Sequence, residues 1–206
     1  MRAKIGVLYY SMTGNTFLMA KAVCKGIEEA GGQSILRTVP DLLPEKVIES
    51  NEHIKKAKEM QKDVPIAKMN ELDDMDGLIL GSPTRFGNMC SQLRNFLDQT
   101  GSLWAKGTFI NKPAGAFCCT ATLHGGQETT LISMMFTLFH HGAIILGVPY
   151  SVKELAETTG GGSPYGPTAV VGNMADKPPT EIDLKIAEEL GKRVAQIALR
   201  LKTKEN

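Results

Sequence analysis

The sequence predicts an α/β protein in which a doubly wound, five-stranded parallel sheet carries helices on both faces. Two observations support this fold class. Short, continuous apolar runs such as residues 5–10 are typical of parallel strands that are buried on both faces. These runs alternate with segments in which apolar residues recur every three or four positions, which is the period of an amphipathic helix. Strands that alternate with helical crossovers form a single parallel sheet.

Five strand segments are predicted in chain order. They cover residues 5–10, 34–39, 78–81, 114–119 and 143–148. Apolar stripes predict the intervening helices, among them a helix that carries Leu93 and ends at Gly101. The clearest stripe belongs to the last helix and runs from Ile182 to Leu201.

Three stretches fall outside this alternation. Residues 40–70 are polar, contain three prolines and have only a thin apolar stripe, so we expect a surface excursion rather than a core element. Residues 150–167 are rich in glycine and proline and are expected to form a structured loop. Residues 168–171 are expected to add one further short strand.

The composition is that of one ordinary globular domain, and we expect residues 1–206 to form it. The net charge is +1 and both signs are interspersed, so no nucleic-acid partner is predicted. No run of 18 apolar residues occurs, so no membrane span is predicted. The N-terminus leads directly into a strand-like run without the apolar core of a signal peptide, and we expect a cytoplasmic protein.

The cysteines and histidines do not predict a metal site. A zinc site that uses His124, His140 and His141 lacks any supporting cysteine or carboxylate pattern, so no metal is expected. The cysteines have no ligand spacing and are expected to be reduced, buried residues. They are Cys24, Cys90, Cys118 and Cys119.

Three loops mark the expected binding site. In doubly wound sheets, ligands bind beyond the carboxyl ends of the strands, at the point where the strand order reverses. Residues 11–15, 82–88 and 120–126 each follow a predicted strand and are rich in Gly, Ser, Thr or Asn. Because the strands are parallel, we expect these loops to lie together at one edge of the sheet.

The first loop lies between a buried strand and the start of a helix. Backbone N–H groups and the helix dipole favour an anion there, and hydroxyl and amide side chains add donors, which suits a phosphate monoester held without a lysine. The loop is neither a Walker A motif nor G-x-G-x-x-G. A simple helix cap remains an equal alternative. The loop residues are Ser11, Met12, Thr13, Gly14, Asn15 and Thr16.

The other loops suit a flat ligand. Gly87 permits close backbone approach, Phe86 offers a ring face, and Arg85 can stabilise negative charge on a reduced ring unless it serves only in a surface ion pair. The third loop can present backbone amides to a ring edge. Trp104 is either a packing anchor or a wall over a planar substrate. His140 lies at the end of a helix, where a cation is favourable.

Taken together, these blocks resemble the WrbA family of FMN-dependent NAD(P)H:quinone oxidoreductases, which has a flavodoxin-like fold. The resemblance covers almost the whole chain. The matching blocks are VLYYSM at residues 7–12, PTRFGNM at 83–89, FLDQTG at 96–101 with Leu103 and Trp104, HGGQE at 124–128, HHG at 140–142, and SPYG at 163–166. Their common order along the chain makes a chance match implausible.

The resemblance implies an FMN enzyme that takes electrons from NADH or NADPH and reduces quinones to hydroquinones by hydride transfer through the flavin. Residues 11–16 would hold the FMN phosphate, and His140 would approach the flavin and, with Arg85, serve catalysis. Trp104 and Thr13 would contact the substrate. The family implies a homotetramer with substrate sites between subunits. The residues that would flank the flavin ring are Pro83, Thr84, Arg85, Phe86, Gly87, Cys119, Thr120, Ala121, Thr122, Leu123, His124 and Gly125.

The chain departs from the family at two places. Thr13 and Asn15 stand where the family often has tyrosine and histidine, and the Cys118-Cys119 pair stands where serine is common, which suggests sensitivity to oxidants. Two other functions were weighed. A flavodoxin-type electron carrier would be strongly acidic, unlike this chain. A regulatory or scaffold protein with a purely structural flavin would show no turnover.

Overall fold

Seven strands pair into one sheet in the computed structural model, which describes residues 2–202. The main path of the sheet has the order β2-β1-β3-β5-β6, while β4 pairs with β3 and β7 pairs with β5. The five predicted strand positions are therefore present. The strands are β1 Lys4–Tyr9, β2 Gln33–Thr38, β3 Gly77–Arg85, β4 Asn88–Met89, β5 Pro113–Thr120, β6 Ile144–Ile145 and β7 Thr168–Val170.

The fifth position of the sheet is shared by two short strands. β6 pairs in parallel with the start of β5 at Pro113, and β7 pairs in parallel with its end at Thr120. The predicted continuous strand over residues 143–148 is therefore wrong. The backbone leaves the sheet because the Val148 N–H donates to the Pro164 carbonyl instead of to β5. The short strand expected at residues 168–171 is observed as β7, which occupies the other half of the fifth sheet position.

Eight α-helices and one 3-10 helix are present in residues 2–202. Gly101 was expected to end a helix, but the first of two helices already ends at Asp98 and Gly101 starts the next. The 150–167 segment also contains a short helix. The helices are α1 Asn15–Glu29, α2 Glu45–Glu49, α3 Glu52–Met60, α4 Ser91–Asp98, α5 Gly101–Ala105, α6 Gln127–His140, α7 Lys153–Glu157 and α8 Glu181–Lys202, and the 3-10 helix is Met69–Asp74.

The 40–70 segment is more than a surface excursion. Ile54 and Ala57 of α3 are buried, and Ala67 belongs to a buried apolar cluster that also contains Leu8 of β1. The thin apolar stripe of α3 is enough to hold the helix, because one buried side chain per turn anchors a helix that otherwise faces solvent. The expectation that this segment contributes nothing to the core was wrong, and it reaches the site described below.

Helices cover both faces of the sheet, as predicted. One apolar cluster joins Ile5 and Val7 of β1 to the helices α1 and α8. The other joins Leu8 of β1 and Leu80 of β3 to α4 and α6. Neighbouring residues of a strand point to opposite faces, so the continuous apolar runs are explained by burial on both sides. None of the helices in residues 2–202 has the length and apolar character needed to cross a membrane.

The helices α1 and α8 approach each other at two glycines. A Cβ placed on Gly26 would lie 1.9 Å from the Glu188 carbonyl oxygen, and one placed on Gly191 would lie 2.1 Å from the Val23 carbonyl oxygen. Lys25 adds an ion pair to Glu188 across the same interface, with a separation of 2.6 Å. This contact fixes α1, whose N-terminus opens into the site.

Candidate cofactor site

A cavity of about 600 Å³ lies at the carboxyl edge of the sheet, where β1, β3, β5 and β7 end. Parallel doubly wound sheets bind ligands at this edge. All three predicted loops contribute to it, together with two segments that sequence reasoning did not assign. Its lining consists of Met12, Thr13, Asn15, Thr16, Asn51, His53, Ile54, Pro83, Thr84, Arg85, Cys119, Thr120, Ala121, Val171, Gly172, Asn173, Met174 and Ala175.

The N-terminus of α1 opens into this cavity without a cap. The N-cap residue is Gly14, in a left-handed conformation with φ of 93°, and no side chain in residues 2–202 accepts a hydrogen bond from the first helical N–H groups. The first turn of α1 also carries no acidic residue. The alternative that this loop serves only as a helix cap is therefore not supported, because no side chain in residues 2–202 caps the helix. Free N–H groups and the helix dipole make this end a binding position for an anion.

Ser11 holds the backbone turn of the 11–16 loop. Its side chain is buried, and its Oγ accepts a hydrogen bond of 3.1 Å from the Gly14 N–H. Its carbonyl oxygen accepts bonds from Lys58 Nζ at 3.1 Å and Gln61 Nε2 at 3.3 Å, both from the 40–70 segment. Ser11 and Gly14 do not border the cavity themselves. They hold the backbone turn that presents Thr13 and Thr16 to it.

The Lys58 ammonium is held in place by Asp41, at a distance of 2.6 Å. Burial alone would raise the pKa of Asp41, but the hydrogen bond from Lys58 and that from the Leu43 N–H hold it below the usual value. Tyr10, at the end of β1, also donates to Asp41, at 3.0 Å. Burial raises the pKa of Tyr10, so this hydroxyl keeps its proton and acts as a donor. The network ties the 40–70 segment to the 11–16 loop.

The charge of the cavity suits an anionic ligand. Arg85 and His53 belong to its lining, and none of the lining residues, all within the described chain, carries a carboxylate. Arg85 donates to the Thr84 carbonyl at 2.8 Å and contacts Met12 Sδ at 3.8 Å. It has no acidic partner anywhere in residues 2–202, so the alternative of a surface ion pair does not apply. An unpaired guanidinium at the mouth raises the local affinity for anions.

The second and third loops contact each other. Thr84 and Thr130 share a hydrogen bond of 2.5 Å between their hydroxyls. A Cβ on Gly126, whose φ is 91°, would lie 2.8 Å from the Cα of Gly87. This close approach requires glycine and keeps the turn after β3 next to the start of α6. Phe86 also has a positive φ of 52°, and its side chain projects fully into solvent.

Cys119 lines the cavity with a buried thiol. It is buried, and this burial raises its pKa to about 12, even though a hydrogen bond with the Thr16 side chain acts in the opposite direction. Burial also raises the pKa of Cys118. A thiol reacts with oxidants as the thiolate, which is scarce at such a pKa. The structure therefore argues against the expected sensitivity of this pair to oxidants.

Several predicted residues lie outside this cavity. His140 and Trp104 border a second cavity of about 450 Å³ between α4, α5 and α6. Phe86 and Gly87 border a third of about 830 Å³ beside α6. The 122–125 segment is mostly exposed at the turn after β5 and does not line the first cavity. Within one chain, therefore, Trp104, predicted to contact the substrate, and His140, predicted to be catalytic, do not lie beside the 11–16 loop.

The two adjacent histidines have different surroundings. His141 is buried, and its ring meets Phe109 edge to face. Thr100 donates its hydroxyl proton to the Leu97 carbonyl at 2.6 Å, so it accepts the proton of His141 Nε2 at 2.9 Å. His141 Nδ1 has no hydrogen-bond partner in residues 2–202. Burial, and then the neighbouring His140, lowers the pKa of His141, which is therefore a neutral packing residue.

Sequence reasoning missed two walls of the cavity. One comes from Asn51, His53 and Ile54 around the start of α3, and the other is residues 171–175, which follow β7. The second had a signal in the sequence, because residues 168–171 were expected to be a strand and any parallel strand ends at the binding edge. For the wall around the start of α3, the only signal in the sequence is Asn51 as a helix-start residue. Its side chain accepts hydrogen bonds from the His53 and Ile54 N–H groups.

These features define a flavodoxin-like α/β protein with a cavity at the carboxyl edge of its sheet whose lining suits an anionic ligand. The solved flavodoxin 1 of Bacillus cereus shares this fold, with 16% identity, a TM-score of 0.59 and coverage of 94% of this chain and 98% of that one. The chain belongs to the NADPH-dependent FMN reductase family, whose model matches residues 3–157.

Relatives extend over nearly the full length of the chain. A protein of Solidesulfovibrio magneticus named NAD(P)H dehydrogenase (quinone) is 44% identical over 95% of this chain and 98% of its own. A protein of Trichlorobacter lovleyi with the same name is 46% identical over 97% of this chain and 98% of its own. The solved WrbA-like protein of Agrobacterium tumefaciens is 25% identical, with a TM-score of 0.63 and coverage of 96% and 98%.

Proposed function

We propose that this chain is an FMN-dependent NAD(P)H:quinone oxidoreductase that reduces quinones to hydroquinones in two-electron steps. The observation that carries the proposal is the uncapped N-terminus of α1, which opens into a cavity lined by Arg85 and His53 and free of carboxylates in the described chain. Family membership and the names of the full-length relatives support the same reaction. The whole chain would serve as one FMN-binding domain in the cytoplasm.

The lining residues fit FMN. The N–H groups at the start of α1 have no capping side chain in residues 2–202, so they would hold its phosphate together with the hydroxyls of Thr13 and Thr16. The 83–85 and 119–121 segments would flank its ring, and Arg85 would face the negative charge that the ring gains on reduction. When bound, FMN supplies the electron-transfer chemistry that side chains lack.

The positions of His140 and Trp104 support a homotetramer with shared substrate sites. Phe136 on α6 is 61% exposed and borders both the cavity of His140 and Trp104 and the cavity of Phe86. Exposed aromatic side chains this close together mark an interface. A second copy seated on this face would bury Phe86 and carry His140 and Trp104 toward a neighbouring flavin, where Trp104 would form one wall of the quinone slot.

Turnover separates this proposal from the flavodoxin-type carrier. FMN-loaded protein is mixed anaerobically with NADH or NADPH, flavin absorbance near 450 nm is followed, and benzoquinone is then added. Rapid bleaching and quinone-driven recovery over many cycles are expected. Bleaching only by dithionite or a partner reductase would favour the carrier, and a flavin that never cycles would favour a structural role.

The oligomer is tested on its own. Light scattering of the wild type is expected to give four subunits, and Phe136→Ser is expected to give smaller species that keep FMN but lose quinone turnover. A monomeric wild type with full turnover would contradict the shared site.

A further inference from the structure

The cavity wall at residues 171–175 continues to Lys177, and this 171–177 wall is tied to the 11–16 loop by one side chain. Asn15, the first residue of α1, is only 6% exposed, and its Nδ2 donates to the Ala175 carbonyl at 2.8 Å. The two residues are 160 positions apart in the sequence. The Asn15 amide was expected to be a donor to the ligand phosphate, whereas here its Nδ2 bonds to the protein backbone.

Backbone hydrogen bonds shape the 171–177 wall and anchor its first residue to the sheet. Within it, the Ala175 N–H donates to the Gly172 carbonyl and the Lys177 N–H to the Val171 carbonyl, both at 3.0 Å. Its start is anchored by the Val171 N–H, which donates to the Thr120 carbonyl of β5 at 2.8 Å. These bonds curl the segment on itself and fix one end.

Ala175 carries a strained backbone at the other end. Its φ is 54°, in the left-handed region that alanine rarely adopts. Ala175 is partly buried against the apolar cluster that contains α1, but the neighbouring Met174 is 76% exposed, so apolar burial contributes only part of what holds this end of the wall. A strained conformation persists only where its surroundings over-determine it, and the Asn15 bond reaches this residue directly.

We propose that Asn15 is a positioning residue that latches the 171–177 wall over the cofactor cavity and thereby sets how long FMN stays bound. This inference rests on the proposed FMN site. Because Asn15 also contributes its backbone N–H to the N-terminus of α1, the latch couples the wall to the loop that would hold the phosphate. Breaking it leaves the phosphate donors in place and frees the wall.

The test measures the wall itself. Amide hydrogen exchange of the full-length protein, with and without FMN, is compared between the wild type, Asn15→Ala and Asn15→Leu, which has a similar volume, carries no charge and also lacks the donor. Loss of one buried hydrogen bond is expected to speed exchange of the 172–177 amides about tenfold, already without FMN. FMN and riboflavin are both expected to dissociate about tenfold faster, since an open wall releases either flavin.

Asn51→Ala is the matched control. It removes an asparagine side chain from the same cavity, and its loss of the α3 cap is expected to speed exchange at His53 and Ile54 but not in residues 172–177. Unchanged exchange of 172–177 in the Asn15 variants would overturn the latch. Weaker binding of FMN with unaltered riboflavin binding would then identify Asn15 as a phosphate ligand. A wild type that binds no FMN would refute the proposed function, whereas the flavin-free exchange data would still decide the latch.

Discussion

Substitution of Gly191 by alanine tests the contact between α8 and α1, the helix that follows the 11–14 turn. Gly191 lies in the middle of α8, which packs on α1. The added Cβ would lie 2.1 Å from the Val23 carbonyl oxygen and 3.1 Å from the Ile27 nitrogen, both of them backbone atoms of α1. Backbone atoms cannot rotate away, so the two helices must separate to accept the methyl group.

Two opposing effects set the magnitude. Alanine favours the helix over glycine by about 0.8–1.0 kcal/mol. Relieving the overlap requires a shift of about 1 Å to reach ordinary contact, and overpacking of this kind costs about 1–3 kcal/mol. Because the overlap is with backbone atoms, we place the overpacking cost of Gly191→Ala at the upper end of this range. After the gain in helix propensity is subtracted, the free energy of unfolding is expected to fall by about 2 kcal/mol. For a chain of this size, the melting temperature falls by about 4–8 °C.

Urea denaturation followed by circular dichroism measures this loss. Gly101→Ala is the control, since Gly101 is also helical but a Cβ there meets no atom within 4 Å, and no destabilisation is expected. Gly26→Ala is expected to behave like Gly191→Ala, because its Cβ would lie 1.9 Å from the Glu188 carbonyl oxygen. The double variant should lose less stability than the two single variants together, because one separation of the helices relieves both overlaps.

An increase in the stability of Gly191→Ala by about 1 kcal/mol would refute the reasoning, because helix propensity would then act without a steric penalty. Full additivity of Gly26→Ala and Gly191→Ala would also contradict it, since the two overlaps would be independent.

Three further predictions concern Arg85, His141 and Cys119. Arg85→Gln should lower the two-electron reduction potential of bound FMN by about 30 mV, as measured by anaerobic titration, because an unpaired cation no longer faces the reduced ring. Since the pKa of His141 is lowered in the native state, its neutral form is favoured, so the unfolding free energy should fall as pH drops below about 6.5. Urea titrations at several pH values should show a weaker fall for His141→Gln. Cys119, with a pKa of about 12, should resist iodoacetamide at neutral pH until urea unfolds the chain.

Each of these expectations has a clear contrary result. An unchanged potential in Arg85→Gln would place the guanidinium away from the flavin, and Arg85→Lys should retain most of the wild-type value. A stability that rises on acidification through the same range in the wild type, but not in His141→Gln, would mean that His141 is protonated in the native state. Rapid alkylation of Cys119 in the folded protein, identified by mass spectrometry, would show an accessible thiolate.

The order of apolar runs and glycine-rich loops was sufficient to predict the fold class and the edge of the sheet that holds the cavity. These properties are local: an apolar run such as residues 5–10 is buried on both faces wherever it stands, and parallel strands place their following loops on one side. The predicted loop residues that line the cavity are Met12, Thr13, Asn15, Thr16, Pro83, Thr84, Arg85, Cys119, Thr120 and Ala121.

Tertiary contacts decided the rest, because they join positions that no local pattern connects. Val148 leaves the fifth strand position for Pro164, which splits the strand, and the polar 40–70 segment bonds to the carbonyl of Ser11. The distinction between the two adjacent histidines depends on Thr100, 41 residues from His141. The fold class of this chain thus follows from its sequence periodicity, whereas the walls of its cavity and the roles of Asn15 and His141 follow from which distant groups the packed backbone brings within hydrogen-bond distance.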